Sequence, residues 1–187
     1  MKRMLLAAPA ALLLAMSARP AAAAETGTGT IRFTGSIDSG TCSIDVVVPG
    51  LPAGAPIFLG QASPVDFPAK GTEVNTQAFS LRVDPASGCT IADGVATVTF
   101  TSNDGAHPDD TDLHAIRPAG AKGIGIAIRD ARTKTIIAHG AQSADFATEV
   151  DKPVVLDFTA GLMSALPPAR INPGPTYADV NFVVSLP

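Results

Sequence analysis

Three histidines and a run of aspartates are the side chains of this sequence that could bind a metal ion. They are His107, Asp109, Asp110, Asp112, His114 and His139. Imidazole and carboxylate groups are common ligands of zinc and related metals. However, their spacing matches neither C-x-x-C nor H-x-x-x-H nor a calcium-binding loop. The pattern is typical of a solvated, Asp-rich turn, and we predict no metal site.

The sequence offers little support for catalysis. Serine, histidine and aspartate all occur, but no serine stands in a G-x-S-x-G or other nucleophile context. Gly123-Ile124-Gly125 begins like a dinucleotide-binding loop but lacks the third glycine and the following helix. It fits strand glycines at a close approach of two backbones. We therefore predict no enzyme activity and no cofactor.

The first 24 residues have the pattern of a secretory signal. Lys2 and Arg3 precede an apolar run from Leu5 to Met16, and Ala22-Ala23-Ala24 precedes Glu25. A run of about twelve apolar residues is too short to span roughly 30 Å of hydrocarbon. We expect residues 1–24 to be removed, although the exact cleavage site stays open, and the remaining chain is long enough for one domain with a real core.

The exported chain keeps two cysteines, Cys42 and Cys89. An even number of cysteines outside the cytosol predicts one disulfide. Closing a loop of 47 residues should contribute roughly 4 kcal/mol to stability in the chain-entropy model. Two free, buried thiols are the alternative interpretation.

The charge and composition of the exported chain argue against two kinds of ligand. Ten Lys and Arg residues stand against 17 Asp and Glu residues, which gives a formal charge of −7. An acidic surface of this kind makes a nucleic-acid partner improbable. The chain has no Trp and a single Tyr, Tyr177, so exposed aromatic rings for sugar binding are scarce.

From Cys42 onward the chain is a series of short apolar-polar alternations broken by Gly and Pro. The alternating runs are Cys42–Val48, Ala78–Val83, Ala96–Phe100, Ile124–Ile128, Val154–Ala160 and Ala178–Leu186. No stretch has a convincing 3.6-residue period, so we expect helices of a single turn at most. Short strands at this spacing predict an antiparallel β-sandwich. The stretches Pro49–Ala78 and Thr101–Ala121 are expected to be irregular excursions.

The segment that follows the signal is a further strand. From Gly27 to Ile37, the odd positions are apolar or glycine and the even positions are polar. This period of two predicts an extended strand with one apolar face. A strand at a free terminus offers an unpaired edge that recruits partners. We therefore expect this strand to act between molecules and to make no contact with the core of its own domain.

One set of motifs, taken in order, matches a known family. The set is Gly29-Thr30-Ile31-Arg32-Phe33-Thr34-Gly35, Cys42 seven residues later, Cys89 after the Phe79 strand, Gly123-Ile124-Gly125-Ile126-Ala127-Ile128, and Gly174, fourteenth from the C-terminus. Together these pieces resemble the type 1 fimbrial pilins of the chaperone–usher pathway. The resemblance covers the whole mature chain, and the order and spacing of the pieces make it specific.

The resemblance implies an immunoglobulin-like antiparallel β-sandwich that is incomplete. In such a domain the final strand is missing, and a hydrophobic groove lies open beside the last strand present. A donor strand from a neighbouring subunit then completes the sheet, which is a documented form of β-strand addition. The implied organisation is a signal peptide at residues 1–24, a donor-strand extension at residues 25–39 and the pilin domain at residues 40–187.

The resemblance also assigns roles to individual residues. In the donor strand, Ile31, Phe33 and Ile37 would fill pockets, and Gly35 would be the donor-strand glycine that lets two backbones approach closely. The strand that edges the groove and binds the chaperone would run from Thr176 to Pro187. The residues implied for this groove strand are Gly174, Val180, Phe182, Val184, Leu186 and Pro187.

The partners implied are other pilin subunits in a homopolymer, a periplasmic chaperone and an outer-membrane usher. Basic residues of the chaperone would grip the terminal carboxylate of Pro187. Pilins of this family usually carry a penultimate Tyr, whereas this chain has Leu186 there. Leu186 can still fill an apolar pocket, so the substitution leaves open only which chaperone subclass fits.

The function implied is that of a structural subunit of a surface fimbria. Such a subunit is exported through the periplasm, polymerises by donor-strand exchange and supports cell adhesion. The alternative is a receptor-binding adhesin or a minor tip or adaptor pilin with a host receptor. An adhesin normally needs a second domain ahead of the pilin domain, and this chain is too short for both.

Overall fold

The structure is a computed structural model that describes residues 27–37, 42–85 and 89–187. Its strands are β1 (Gly27–Ile37), β2 (Ser43–Val47), β3 (Ile57–Ala62), β4 (Glu73–Asp84), β5 (Gly94–Ser102), β6 (Ala106–His107), β7 (Asp110–His114), β8 (Ile124–Asp130), β9 (Phe146–Thr148), β10 (Val154–Ser164) and β11 (Thr176–Ser185). Helix in the described residues is limited to two 3-10 turns, Pro64–Asp66 and Pro168–Arg170. The expectation of single-turn helices is confirmed, and no described helix could cross a membrane. The predicted signal peptide, residues 1–24, lies outside the described residues.

The strands form two sheets packed face to face. One sheet has the order β3-β1-β11-β5-β9, and the other has the order β2-β4-β10-β8-β7-β6. β1 and β11 run parallel, whereas all other strand pairs among the described residues are antiparallel. The β-sandwich predicted from the alternating runs is confirmed.

Phenylalanine rings from both sheets meet in the centre of the sandwich. Phe100 of β5 contacts Phe158 of β10 edge to face, with ring centroids 5.0 Å apart. Phe79 of β4 lies 5.5 Å from Phe158. Phe33 of β1 lies 4.8 Å from Phe79. These separations are typical of stacked and edge-to-face rings. Strands β4, β5 and β10 therefore share one continuous core with β1.

Two stretches expected to be irregular contain strands. β3 lies within Pro49–Ala78, and of its own six residues Ile57 and Leu59 are the buried ones. Gly60, with φ of +68°, then interrupts the alternation. The stretch Thr101–Ala121 contains β6 and the Asp-rich β7. These strands are too short and too polar to give a period-two signal in the sequence.

The disulfide predicted from the cysteine count is confirmed. Cys42, just before β2, is bonded to Cys89, which follows β4, and their Cα atoms lie 4.8 Å apart. Since β2 and β4 pair in one sheet, the bond fastens the beginning of β2 to the body of the domain. Only residues 38–41 separate this anchor from the end of β1.

Gly123-Ile124-Gly125 was interpreted as a pair of strand glycines at a close approach, and the structure agrees for one of the two. Gly125 lies against β7, where an added Cβ would come within 2.8 Å of the Leu113 Cβ. This is the close approach expected of a strand glycine. Gly123 differs, because it precedes β8 and has a φ of +76°, a backbone conformation that favours glycine.

Candidate functional site

The candidate site is the groove between β3 and β11, and β1 occupies it. β1 pairs with β3 on one side and with β11 on the other. Without β1, the facing edges of β3 and β11 would have no strand between them. An unpaired, buried sheet edge is costly because its N–H and C=O groups lose their hydrogen bonds. The groove therefore requires an occupant.

The apolar face of β1 enters the core. Ile31 has no exposed surface and is aligned with Ala178 of β11. Phe33 is half-buried, aligned with Val180 and packed against the phenylalanine cluster. Full burial of an isoleucine side chain stabilises by roughly 1.5–3 kcal/mol. The predicted inward positions Ile31 and Phe33 thus point inward in this structure.

Gly35 lies against the ring of Phe182. The two residues are register partners, and a Cβ added to Gly35 would come within 1.9 Å of the Phe182 ring. Phe182 is only 3% exposed, so the ring has little room to move. The expected close approach exists, but it joins a backbone to an aromatic ring and not two backbones.

Gly29 makes a second close approach that sequence reasoning missed. A Cβ added there would lie 2.9 Å from both the Leu59 Cβ and the Thr176 Oγ1, and 3.3 Å from Leu162. Leu59 belongs to β3 and Thr176 to β11, so both walls of the groove close in on this residue. A glycine in an alternating run was the available signal, but its neighbours come from distant parts of the chain.

The polar face of β1 points outward. Arg32 and Thr34 are exposed, and Thr30 is partly buried between Phe58 of β3 and Tyr177 of β11. The Phe58 and Tyr177 side chains are themselves 59% and 44% exposed. Substitutions at Arg32 and Thr34 therefore alter the surface and leave the groove intact.

β1 pairs within its own chain, which differs from the expectation that it makes no contact with its own core. Its parallel direction follows from its tether. Residues 38–41 connect β1 to Cys42. Cys42 lines the same surface cleft as Phe33, Gly35 and Phe182, so the end of β1 lies beside the end of β11. The side chain of Ile37 lies outside the described residues, although its backbone is aligned with Val184.

The groove strand β11 carries the inward side chains that were implied for it. Val180, Phe182 and Val184 are buried, as is Ala178 of the same alternating run; Thr176, which sequence reasoning did not single out as an inward position, is buried too. The small side chain of Ala178 leaves room for Ile31 opposite it, and the large one of Phe182 requires Gly35. Side-chain size therefore alternates in a complementary way along the two strands.

The last two residues lie beyond the strand. β11 ends at Ser185, whereas the sequence predicted a strand up to Pro187. Leu186 is partly buried against the core. Pro187 lies over Gly94 of β5, where an added Cβ would come within 2.8 Å of the proline. Proline lacks an N–H group and cannot continue the ladder, which explains the earlier end.

Gly174 lies just before β11, at a close approach of two backbones. An added Cβ there would come within 2.8 Å of the Ala121 backbone nitrogen. The adjacent Pro175 carbonyl accepts a hydrogen bond from Ala121 at 3.0 Å. The glycine thus permits this close approach at the entry to the groove strand.

The histidines do not form a metal centre. Among the described residues, no group of three or more His, Cys, Asp or Glu side chains is placed to hold a metal ion. His114 is fully buried, its Nε2 lies 3.1 Å from the carbonyl oxygen of Ile137, and its Nδ1 has no partner in the described structure. Burial lowers the pKa of His114 to about 4 because an apolar environment disfavours the charged ring. His139 packs 5.7 Å away, ring to ring.

The two-sheet β-sandwich matches the fold of solved pilin subunits, and the sequence agrees with this class. The family model of fimbrial proteins matches residues 31–186, so the chain belongs to the fimbrial protein family. It is a structural component of a cell-surface pilus, built with other pilin subunits, and not an enzyme. The resemblance noted in the sequence is confirmed.

A curated relative agrees with this assignment, and solved structures share the fold. The chain is 28% identical over 173 residues to the probable major fimbrial subunit LpfA of Escherichia coli O157:H7, across 92% of this chain and 91% of that protein. Its fold is similar to the antigen and type I fimbria protein BPSL1626 of Burkholderia pseudomallei, at 21% identity and a TM-score of 0.52, across 85% of this chain and 92% of that chain. It is also similar to the P pilus rod subunit PapA, at 18% identity and a TM-score of 0.58, across 78% and 99% of the two chains. These structures confirm the immunoglobulin-like fold.

Proposed function

We propose that the chain is a major structural subunit of a fimbria and that copies are joined by exchange of β1. In the polymer, β1 of one subunit occupies the groove between β3 and β11 of the next. The observation that carries this proposal is the groove itself, a slot that needs one strand with an apolar face and a glycine opposite Phe182. The similarity to a probable major fimbrial subunit favours a major subunit over a tip protein.

The connection of β1 to its domain suits an exchangeable strand. β1 is a terminal element, and the Cys42–Cys89 bond holds the chain immediately after the link of residues 38–41. When β1 leaves its own groove, β2 stays fastened to the body. The free energy lost in one groove is regained in another, because the same side chains are buried and the same type of ladder forms.

Export and assembly follow from the same proposal. A chain with the predicted signal at residues 1–24 enters the periplasm, where its disulfide forms. A chaperone then binds β11 and fills the groove, and its contact ends at Leu186 and Pro187. At an outer-membrane usher, β1 of the next subunit replaces the chaperone. A groove left empty would expose apolar side chains and unpaired backbone groups, so a protective partner is needed.

Deletion of residues 27–37 tests this proposal. The variant is coexpressed with the chaperone and usher of its own fimbrial system, beside the full-length chain. We expect the variant to be recovered in complex with the chaperone but to form no fibres. Arg32→Ala, which changes only the exposed face of β1, is the matched control and should assemble normally. Normal fibres from the deletion variant would rule out exchange of β1.

A further inference from the structure

We propose that the cleft between the β6–β7 hairpin and the link from β7 to β8 binds one neutral sugar ring of a glycan. The cleft has a volume of about 290 Å³, close to the lower end of the range for ligand pockets, roughly 300–1,000 Å³. Its lining residues lie between Asp104 and Leu166, and of the described residues that line it none belongs to β1, β3 or β11. The site is therefore separate from the groove between β3 and β11, and binding of the sugar does not depend on the proposed function.

The floor of the cleft is aliphatic. Its lining includes the buried side chains of Ala115, Ile116, Ala121 and Ile124 and the partly buried side chain of Leu166. Ligand pockets commonly combine such an apolar surface with a few placed polar groups. One face of a sugar ring carries mainly C–H groups. This floor can cover that face in place of the aromatic rings that are scarce in the sequence.

His107 gives the wall of the cleft a hydrogen-bond donor. The residue is only 6% exposed and lines the cleft. The Asp109 backbone N–H donates to His107 Nδ1 at 3.2 Å, so a neutral ring carries its proton on Nε2. Burial lowers the pKa of His107, which keeps the ring neutral at pH 7. Within the described structure, Nε2 has no hydrogen-bond partner and is not buried, so its N–H group is available to a ligand.

Two carboxylates supply acceptors at the rim of the cleft. Asp104 and Asp109 are exposed and line it, and in the described part of the chain neither carboxylate has a salt-bridge or hydrogen-bond partner. The two basic side chains of the cleft are already engaged. The Arg117 Nε donates to Asp179 at 3.2 Å, and Lys122 donates to a backbone carbonyl. The groups without a partner are therefore one donor on the wall and two acceptors on the rim.

These groups discriminate among ligands by charge. An anion would be repelled by both carboxylates. A cation would attract the carboxylates but would leave the Nε2–H group of His107 unpaired, and covering a donor without satisfying it is costly. A hydroxyl group both accepts and donates hydrogen bonds. Neighbouring hydroxyls of a neutral sugar therefore satisfy His107 and the carboxylates together, while the apolar floor covers the C–H face of the ring.

A single site of this kind should bind weakly, and many copies of the site offset the weakness. The ligand efficiencies of small molecules correspond to a dissociation constant of roughly 1 mM for one sugar ring. Because no lining residue belongs to β1, the cleft should stay intact when β1 is exchanged. Under the proposed function, a fibre presents one cleft per subunit, and simultaneous binding to a multivalent glycan raises the overall affinity by about 100-fold or more.

Saturation-transfer NMR with the secreted protein measures the binding of single sugars. The neutral probes are the methyl glycosides of glucose, galactose, mannose and N-acetylglucosamine. The methyl glycoside of glucuronic acid is the anionic probe, and that of glucosamine is the cationic one. We expect at least one neutral glycoside to bind with a dissociation constant of about 1 mM and both charged probes to bind several-fold more weakly. Tighter binding of either charged probe, or no transfer to any neutral glycoside, would overturn the proposal.

Asp109→Ala locates the site. It removes an exposed acceptor at the rim and should weaken binding of the selected glycoside about tenfold. Asp112→Ala is the matched control, because it removes an exposed carboxylate of the same hairpin that does not line the cleft. His107→Phe removes the donor and should have a similar effect; if it fails to fold, Asp109→Ala still decides. Unchanged affinity in Asp109→Ala, or an equal loss in Asp112→Ala, would reject this cleft as the site.

The effect of many copies is measured separately, with fibres and secreted protein at equal subunit concentration and a polymer that carries the selected sugar. Fibres should bind this polymer at least about tenfold more tightly, and fibres of Asp109→Ala should lose the binding. Sugar binding by the secreted protein, with no fibres formed, would reject the proposed function and leave the cleft intact. Fibres that form normally but bind no sugar would reject the cleft and leave the proposed function intact.

Discussion

Gly35 of β1 and Phe182 of β11 form a fitted pair, in which the aromatic ring occupies the space that any side chain at position 35 would need. An added Cβ would come within 1.9 Å of the ring, and Phe182 is buried among the aromatic core. The pair sets the register of whichever strand enters the groove. A strand shifted by two residues would place Phe33 or Ile37 against the ring.

The first prediction concerns this pair. Gly35→Ala should destabilise the monomer by several kcal/mol, because the buried ring must shift or β1 must leave. Phe182→Leu alone should cost roughly 1–3 kcal/mol as the core loses volume. The double variant should lose less unfolding free energy than the two single variants together, by about 1 kcal/mol or more. Urea unfolding of the four proteins measures this coupling, and strictly additive effects would show that the two residues do not constrain each other.

The second prediction compares the two faces of β1. Ile31→Ala should lower the free energy of unfolding of the monomer by about 2–5 kcal/mol, since a fully buried side chain is removed. Thr34→Ala, on the exposed face of the same strand, should change it by less than about 0.5 kcal/mol. Chemical denaturation gives both values. Equal effects would mean that β1 lies outside the groove in solution.

The third prediction concerns the disulfide. Native protein should contain no titratable thiol, since Cys42 and Cys89 are bonded. Cys42→Ala and Cys89→Ala should each cost up to roughly 4 kcal/mol by relaxing the 47-residue loop. Both should lower the periplasmic yield, which immunoblotting measures beside the parent. The double Cys42→Ala, Cys89→Ala variant is the control for effects of a lone reactive thiol.

The fourth prediction is a loss of stability in acid from one buried side chain. The pKa of His114 is lowered to about 4 in the fold, against about 6.5 in an unfolded chain. Between these values the unfolded chain binds more protons than the folded one, so stability falls as the pH falls. The loss from this residue begins near pH 6.5, is complete below about pH 4 and amounts to roughly 3 kcal/mol.

His114→Gln isolates this contribution. Glutamine can still donate a hydrogen bond towards the Ile137 carbonyl but carries no charge at any pH. Its stability should therefore fall less steeply than that of the parent between pH 6.5 and 4, whatever its stability at neutral pH. The carboxylates are common to both proteins and cancel in the comparison. Identical slopes in denaturant titrations across this range would show that His114 is not buried as a neutral ring.

Alternation of side chains was enough to predict most of the sandwich. In β10 and β11, apolar residues recur at every second position, and these positions are buried. The signal fails for β3, where three consecutive apolar residues, Ile57–Leu59, precede Gly60 and show no alternation. It also fails for β7, whose sequence of Asp110–His114 carries three polar or charged residues before Leu113.

The partner and direction of β1 lay beyond what the sequence could predict. Alternation shows that Ile31 and Phe33 share a face, but the same face would suit a groove in this chain or in another. The need for glycine at position 29 depends on Leu59 and Thr176, which are close to it only in the fold. Local patterns specify faces, whereas the contacts of distant strands specify pairing.

Cross-linking between two copies tests the joining of subunits by β1 most directly. One subunit carries Arg32→Cys, a second carries Ser185→Cys, and a third carries Asp179→Cys, and fibres are assembled from equal mixtures of the first with either of the others. Antiparallel entry with Gly35 against Phe182 aligns residue 32 of one copy with residue 185 of the next. We expect a disulfide-linked dimer from the Arg32→Cys and Ser185→Cys mixture and little from the other. Fibres that form normally but give no linked dimer in either mixture would contradict the exchange of β1 between subunits.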